Sequence, residues 1–244
     1  MRKNLNFIVV ALVASALITS LSIQPASAAG TQISTAHASM TFDFPEVVFD
    51  ATGDCVNPSF NVEVKASIPS TDWFVDITLR KSGQSPTGSE GRAAGTNSGV
   101  SVGTIQHCPN LDGPGTFIVD GVFTTFDNGT NAMLKTSFIS SVEIRKGKST
   151  LVLGSLKRSG SKITLNGKVT GPSEKYGIVG LVGTVRVDYQ LKNSTKWLAL
   201  TSIYSDKSGD FKVGVVKNLP KKILFRVTFV ATSSMDASSI TRVA

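Results

Sequence analysis

Histidine and cysteine are nearly missing from this chain, with two of each among 244 residues. Zinc and iron centres are built mainly from these two side chains, and most nucleophilic machineries need one of them. The spacing HExxH is missing, which removes the common zinc-protease reading. Aromatic residues make up 7% of the chain, too few to supply the exposed stacking platforms that single-stranded nucleic acid needs. Beyond its first residues the chain has no long apolar run, and no segment carries a sustained apolar stripe at three- and four-residue spacing. Helical bundles and membrane-spanning helices are thereby excluded as expectations. No residue is assigned a catalytic, cofactor-binding or metal-binding role, and the chain is expected to be non-enzymatic.

The start of the chain has a definite character. Arg2 and Lys3 precede the apolar run "FIVVALVASALI", and "ASA" (Ala26, Ser27, Ala28) follows with small residues. This order predicts a signal peptide over residues 1–28 and a secreted, extracellular chain without a transmembrane segment. In that compartment the two cysteines are expected to pair as one disulfide, Cys55–Cys108.

Elsewhere the periodicity is two. "FNVEVKASI" places Phe60, Val62, Val64, Ala66 and Ile68 on one face; "WFVDITLRK" does the same with Trp73, Val75, Ile77 and Leu79. "VRVDYQLK" alternates Val185, Val187, Tyr189 and Leu191 with Arg186, Asp188, Gln190 and Lys192, and "FRVTFVA" repeats the pattern from Phe225 to Ala231. One apolar and one wet face per strand is the mark of antiparallel sheets stacked face to face. The fold class expected is all-β, two antiparallel β-sandwich domains in tandem. "DNGTN", "KNST" and "SDKSGD" read as turns. "LNGK" reads as one strand with a glycine bulge, and "SGQSPTGSEGRAAGTNSG" as the longest irregular loop.

Charge divides the chain. Residues 30–145 hold six Lys and Arg against 12 Asp and Glu; residues 146–244 hold 17 against five. The balances are −6 and +12, so an acidic domain over 30–145 and a basic one over 149–244 are expected, divided at "RKGKST". Lys157, Arg158, Lys162, Lys168, Lys217, Lys221 and Lys222 flank apolar strand positions and are the candidate polyanion-binding residues. Lysine, a mobile point charge, suits diffuse attachment, and the partner this implies outside a cell is an anionic wall polymer or polysaccharide. Solubility alone is the competing account of the charge.

Two sites are weighed against plainer readings. Asp206, Ser208 and Asp210 alternate as in a calcium loop, yet the sixth and twelfth positions are Phe211 and Lys217 where that loop takes Gly and Glu. A hairpin corner with Gly209 in a left-handed conformation explains more of these residues. Asp43, Glu46, Asp50 and Asp54 crowd the start of the first domain and read as a solvated acidic edge; a glycan hydrolase pair or calcium ligands are the rivals. His37 and His107 read as surface residues, His37 in a frayed segment.

The stretch "STLVLGSLKRSGSKITLNGKVTG", the later strand after Trp197 and the corner formed by Asp206, Gly209 and Phe211 resemble the immunoglobulin-like repeat modules of secreted and surface-attached actinobacterial proteins. The resemblance covers about residues 149–244. It implies a sandwich used as spacer, stalk or adhesive unit, with no catalytic residues to carry over. The first half resembles secreted immunoglobulin-like domains through the order Cys55, Trp73, Cys108, although Gln106 stands where that pattern has tyrosine. The function these readings favour is a cell-surface or wall-associated binding or adhesion protein, with a structural spacer as the alternative.

Overall fold

The computed structural model describes residues 30–86, 88–220 and 222–243. The proposed signal segment, the residue at 221 and the C-terminal residue lie outside them. Seventeen strands and no helix are found among the described residues, so the chain is all-β.

The first nine strands are β1 (Thr31–Ser34), β2 (Ala38–Asp43), β3 (Val47–Val48), β4 (Ser59–Ala66), β5 (Thr71–Lys81), β6 (Glu90–Thr96), β7 (Gly99–Thr104), β8 (Gly115–Asp127) and β9 (Ala132–Arg145). They form one hydrogen-bonded sheet in the order β1-β2-β4-β7-β6-β5-β8-β9-β3. Its two halves are joined only by the pair Arg92–Thr104 between β6 and β7. The sheet folds over there, and its far edges meet again where Thr31 Oγ1 lies 3.2 Å from Ser140 Oγ. The alternation in sequence is what drives this folding. Phe60, Val62 and Val64 of β4 face Trp73, Val75, Ile77 and Leu79 of β5 within a single buried cluster. Burying a side chain of this size stabilises by roughly 1.5–3 kcal/mol.

The remaining strands are β10 (Thr150–Ser159), β11 (Lys162–Ser173), β12 (Gly177–Gly180), β13 (Thr184–Gln190), β14 (Leu198–Tyr204), β15 (Asp210–Val216), β16 (Leu224–Phe229) and β17 (Ser238–Val243). One sheet joins β11 with β10, β12 and β15; the other runs β14-β13-β16-β17. Ile163, Leu165, Phe211 and Val213 from the first sheet and Val185, Val187, Phe225 and Phe229 from the second share one buried cluster. This is a sandwich.

Three expectations about local structure are corrected. The glycine-rich stretch after Lys81 is not a continuous loop, because β6 runs through it and pairs with β5 from Asp72–Thr96 to Thr78–Glu90. Gly95 makes this pairing possible: a side chain there would collide with the Trp73 indole, and that indole donates to Asn97 O at 2.9 Å. The bulge lies not in β11 but in its partner β10, between Leu153 and Ser155. Asn166 holds it open, its Oδ1 accepting from Ser155 N at 2.7 Å and Ser155 Oγ at 2.8 Å. The Asp206 corner joins no hairpin either, since β14 belongs to one sheet and β15 to the other. It is the bend by which the chain crosses between layers.

Candidate functional site

The crossing at Asp206 is built from backbone groups. Asp206 Oδ1 accepts from the amides of Ser208 (2.8 Å) and Asp210 (3.0 Å), and Gly209 N donates to Asp206 O at 2.9 Å. Gly209 has φ +80°, and a Cβ there would strike the Val169 carbonyl oxygen that the corner packs against. Phe211 then enters the core. The carboxylate is therefore occupied with turning the chain.

Two of the four carboxylates of the acidic edge, Glu46 and Asp50, are likewise spent on structure. Glu46 pairs with Arg145 at 3.3 Å. Asp50 accepts from Thr52 N and Glu174 N, both at 2.8 Å. Burial alone would raise the Asp50 carboxyl, but these amide bonds outweigh it and hold it below the usual carboxylate range. Asp43 closes β2, and Asp54 lies just before Cys55. Among the described residues no three His, Cys, Asp or Glu side chains are gathered to hold a metal ion.

Both histidine expectations are corrected. His37 sits half-buried in the turn between β1 and β2, with Nδ1 3.5 Å from Thr125 Oγ1. His107 is fully buried. Its ring stacks on Phe49 at 5.6 Å and meets the edge of Phe117 at 4.7 Å. Nε2–H donates to Gly113 O at 3.1 Å, while Nδ1 has no hydrogen-bond partner and stands 3.7 Å from Asp112 Oδ2. Burial pushes His107 below its ordinary value, and Lys81 pushes the same way. The Gly113 bond and the Asp112 carboxylate oppose them. The adjoining Cys108 is bonded to Cys55, as expected. Cys55 is exposed and Cys108 half-buried, whereas Trp73 lies deep in the core. The disulfide thus staples loops at the surface and does not span the layers as it does in immunoglobulin domains.

The cationic candidates separate into two groups. Lys168 faces Asp210 across the β11–β15 pair, 4.0 Å away, so its charge is partly answered. Lys157, Arg158 and Lys162 lie at the β10–β11 turn, and Lys217 and Lys222 in the β15–β16 connection. These two loops touch: Lys217 N donates to Ser161 O at 2.8 Å, and Arg158 reaches the carbonyls of Leu219 and Pro220. Arg158 is therefore a strut that also carries charge. The β13–β14 loop reaches the same end, because Gln190 pairs with Leu224. It adds Lys192 and Lys196, which are exposed. Lys217 lies over the Tyr189 ring at 4.5 Å. The seventh candidate, Lys221, lies outside the described residues.

Across Ser155–Lys162, Tyr189–Leu198 and Val215–Leu224 the sequence contains no Asp or Glu. Sequence reasoning saw a basic half; it missed that three separate loops bring seven described cations to one end of the sandwich. Among the described residues, the acidic group facing inward near this region is Asp188, expected to be wet but buried, where Arg186 (3.1 Å) and Arg226 (2.9 Å) neutralise it. Two arginines around one carboxylate leave no negative charge to offset the lysines outside.

No protein-family model and no curated protein matches this chain. Among solved structures, it is similar to red sea bream transglutaminase at 11% identity and TM-score 0.40, covering 86% of this chain and 31% of that one. It is also similar to the FN1–FN3 domains of chicken contactin, at 11% identity and TM-score 0.27 over 84% of this chain and 70% of that one. A third resemblance is to the CsuC–CsuE chaperone–tip adhesion subunit complex of Acinetobacter baumannii, at 10% identity and TM-score 0.26, covering 75% and 90%. At these scores none assigns an activity or a partner. The first of them corrects the expectation that the chain is not an enzyme. The likeness extends to a protein that is one, and a β-sandwich scaffold does not decide whether a site is grafted onto it. An all-β sandwich is compatible with a binding or structural role.

Proposed function

We propose that this chain is an extracellular attachment protein of two sandwich domains, and that the loop end of the second domain holds an anionic polymer. The observation that carries the proposal is the concentration of Lys157, Arg158, Lys162, Lys192, Lys196, Lys217 and Lys222 on three adjoining loops without a carboxylate among them. None of the lysines in this group forms an ion pair with a described carboxylate, so their fields add. Phosphodiester or carboxylate polymers of a cell wall supply the matching charge, and flexible ammonium groups tolerate their irregular spacing.

Position supports the same reading. β11 runs from Lys162 at the basic end to Ser173 beside the first half, a length of about 36 Å at the usual rise per residue. The charged loops are thus held away from the acidic half. The test is retention of residues 30–244 on immobilised polyglycerol phosphate. Lys157→Glu, Lys162→Glu and Lys222→Glu together should abolish retention. Lys175→Glu, Lys207→Glu and Lys212→Glu, an equal charge change placed elsewhere, should largely preserve it. Equal loss from both triple variants contradicts a localised site.

The spacer reading rests on a different observation. Ala51 N donates to Pro172 O at 3.0 Å, Gly147 N to Ser234 O at 2.8 Å and Asp236 N to Gly147 O at 2.8 Å. Backbone bonds on both sides of the join favour a stiff tandem over two domains on a free linker.

A further inference from the structure

The outer face of the first half carries a groove that neither the charge split nor the acidic edge explains. About 910 Å³ in volume, it crosses β6, β5, β8 and β9, and the strand register fixes which side chains share it. Glu90, Thr78, Asp120 and Ile139 lie in one row across the four strands. Arg92, Asp76, Val122 and Ser137 form the next. Three inter-strand spacings make each row about 14 Å long. In the row beyond, Thr124 is buried on this face and its Oγ1 has no hydrogen-bond partner.

The chemistry of the lining selects a ligand class. Asp76 is paired with Arg92 at 2.5 Å, and Asp120 with Arg80 through both carboxylate oxygens. Each pair is internally neutral, and the one further charge in the lining, Glu90, is exposed at the β6 edge beside Arg92, so the groove offers no strong field to a polyanion or a polycation. What it does offer is a set of fixed donors and acceptors: the unused guanidinium N–H groups, the remaining carboxylate lone pairs and the hydroxyls of Thr78 and Ser137. Between them lie apolar surfaces, half-buried Val122 and exposed Ile139, with the Phe74 ring nearby beneath the Arg92 guanidinium at 5.1 Å. Alternating hydroxyl partners and apolar patches complement a sugar ring, whose rim is polar and whose faces present C–H groups. A drug-sized or oligosaccharide ligand fits a cleft of this volume. An extended peptide would seek a free strand edge, but β5 and β8, which floor the groove, are paired on both sides.

We infer that this groove binds an uncharged oligosaccharide, with Asp76, Asp120 and Arg92 engaging its hydroxyls and Val122 and Ile139 contacting a ring face. This site is separate from the basic loops and does not depend on them. The probe set is native electrophoresis of residues 30–244 in gels cast with hydroxyethyl cellulose, galactomannan, laminarin or glycol chitin. Calorimetry with the tetrasaccharide of the retarding polymer follows. At least one of these neutral polymers should retard the protein, and Asp120→Asn or Ile139→Asp should each weaken tetrasaccharide binding at least tenfold. Ile178→Asp, an equally exposed apolar site on the second half, should leave it unchanged, as should the triple glutamate variant of the basic loops. Unaltered thermal unfolding of Ile139→Asp shows that lost binding is not lost folding. Retardation by none of the four polymers overturns the inference, and so does binding that survives both groove variants.

Discussion

Replacing Met235 with alanine should destabilise the second half and loosen its seat against the first. Met235 is 1% exposed, and its thioether end lies over Gly147 and Gly171, beside the half-buried Ala51 of the first half. Its backbone also bridges Gly147, so the side chain and the main chain close the same joint. Complete burial of a methionine contributes roughly 1.5–3 kcal/mol. The cavity left by truncation raises the cost of such substitutions to about 2–5 kcal/mol. Two sides of that cavity are glycine, with Ala51 and Leu181 the side chains beside it, so it collapses only partly and a loss of about 3 kcal/mol is expected. In a unit of roughly 100 residues each kcal/mol lowers Tm by about 4–8 °C. The two tryptophans make the halves separable by fluorescence, since Trp73 belongs to the first cluster and Trp197 lies against Arg226 in the second, 4.5 Å from its guanidinium. Urea unfolding followed in Trp73→Phe and Trp197→Phe backgrounds should show the Trp197 transition moving by the full amount. The Trp73 transition should move less. A loss below 1 kcal/mol, or an equal shift of both signals, refutes the packing argument.

Acidification should weaken the first half through His107. Its folded value lies below the ordinary one because of burial, so the unfolded chain takes up the proton first. Stability should be intact above about pH 6.5, the unfolded value, and should fall as pH drops from there toward the folded value. His107→Gln should flatten that dependence in urea titrations at successive pH values; an unchanged slope contradicts it. The disulfide should contribute about 4 kcal/mol through restriction of the unfolded chain over its separation of 53 residues. Cys55→Ser with Cys108→Ser, compared by urea midpoint, checks this; a difference under 1 kcal/mol fails it.

Strand alternation made the two cores legible, since Trp73 through Leu79 and Phe225 through Phe229 point inward as their parity demands. His107 obeys the same parity, two residues after the buried Ile105, but a polar side chain beside a cysteine masked the signal. The groove was not legible at all. It needs β6, and a stretch with five glycines and four serines from Ser82 to Gly99 reads as a loop until Trp73 is seen to require Gly95. Asp188 illustrates the opposite error: a charge on the wet face became buried once Arg186 and Arg226 closed over it. The basic loops were legible as composition only, because residues 157, 192 and 222 become neighbours through pairings that a linear count of charge does not contain.

The central claim, that attachment occurs through one end of the second half, is tested most directly by amide NMR of ¹⁵N-labelled residues 30–244 titrated with a glycerol phosphate oligomer. Shift changes confined to Ser155–Lys162, Tyr189–Leu198 and Val215–Leu224, and erased near 1 M salt where the Debye length is about 3 Å, are the predicted result. Changes spread evenly over both halves, changes centred on the first half, or a spectrum indifferent to the oligomer would contradict it.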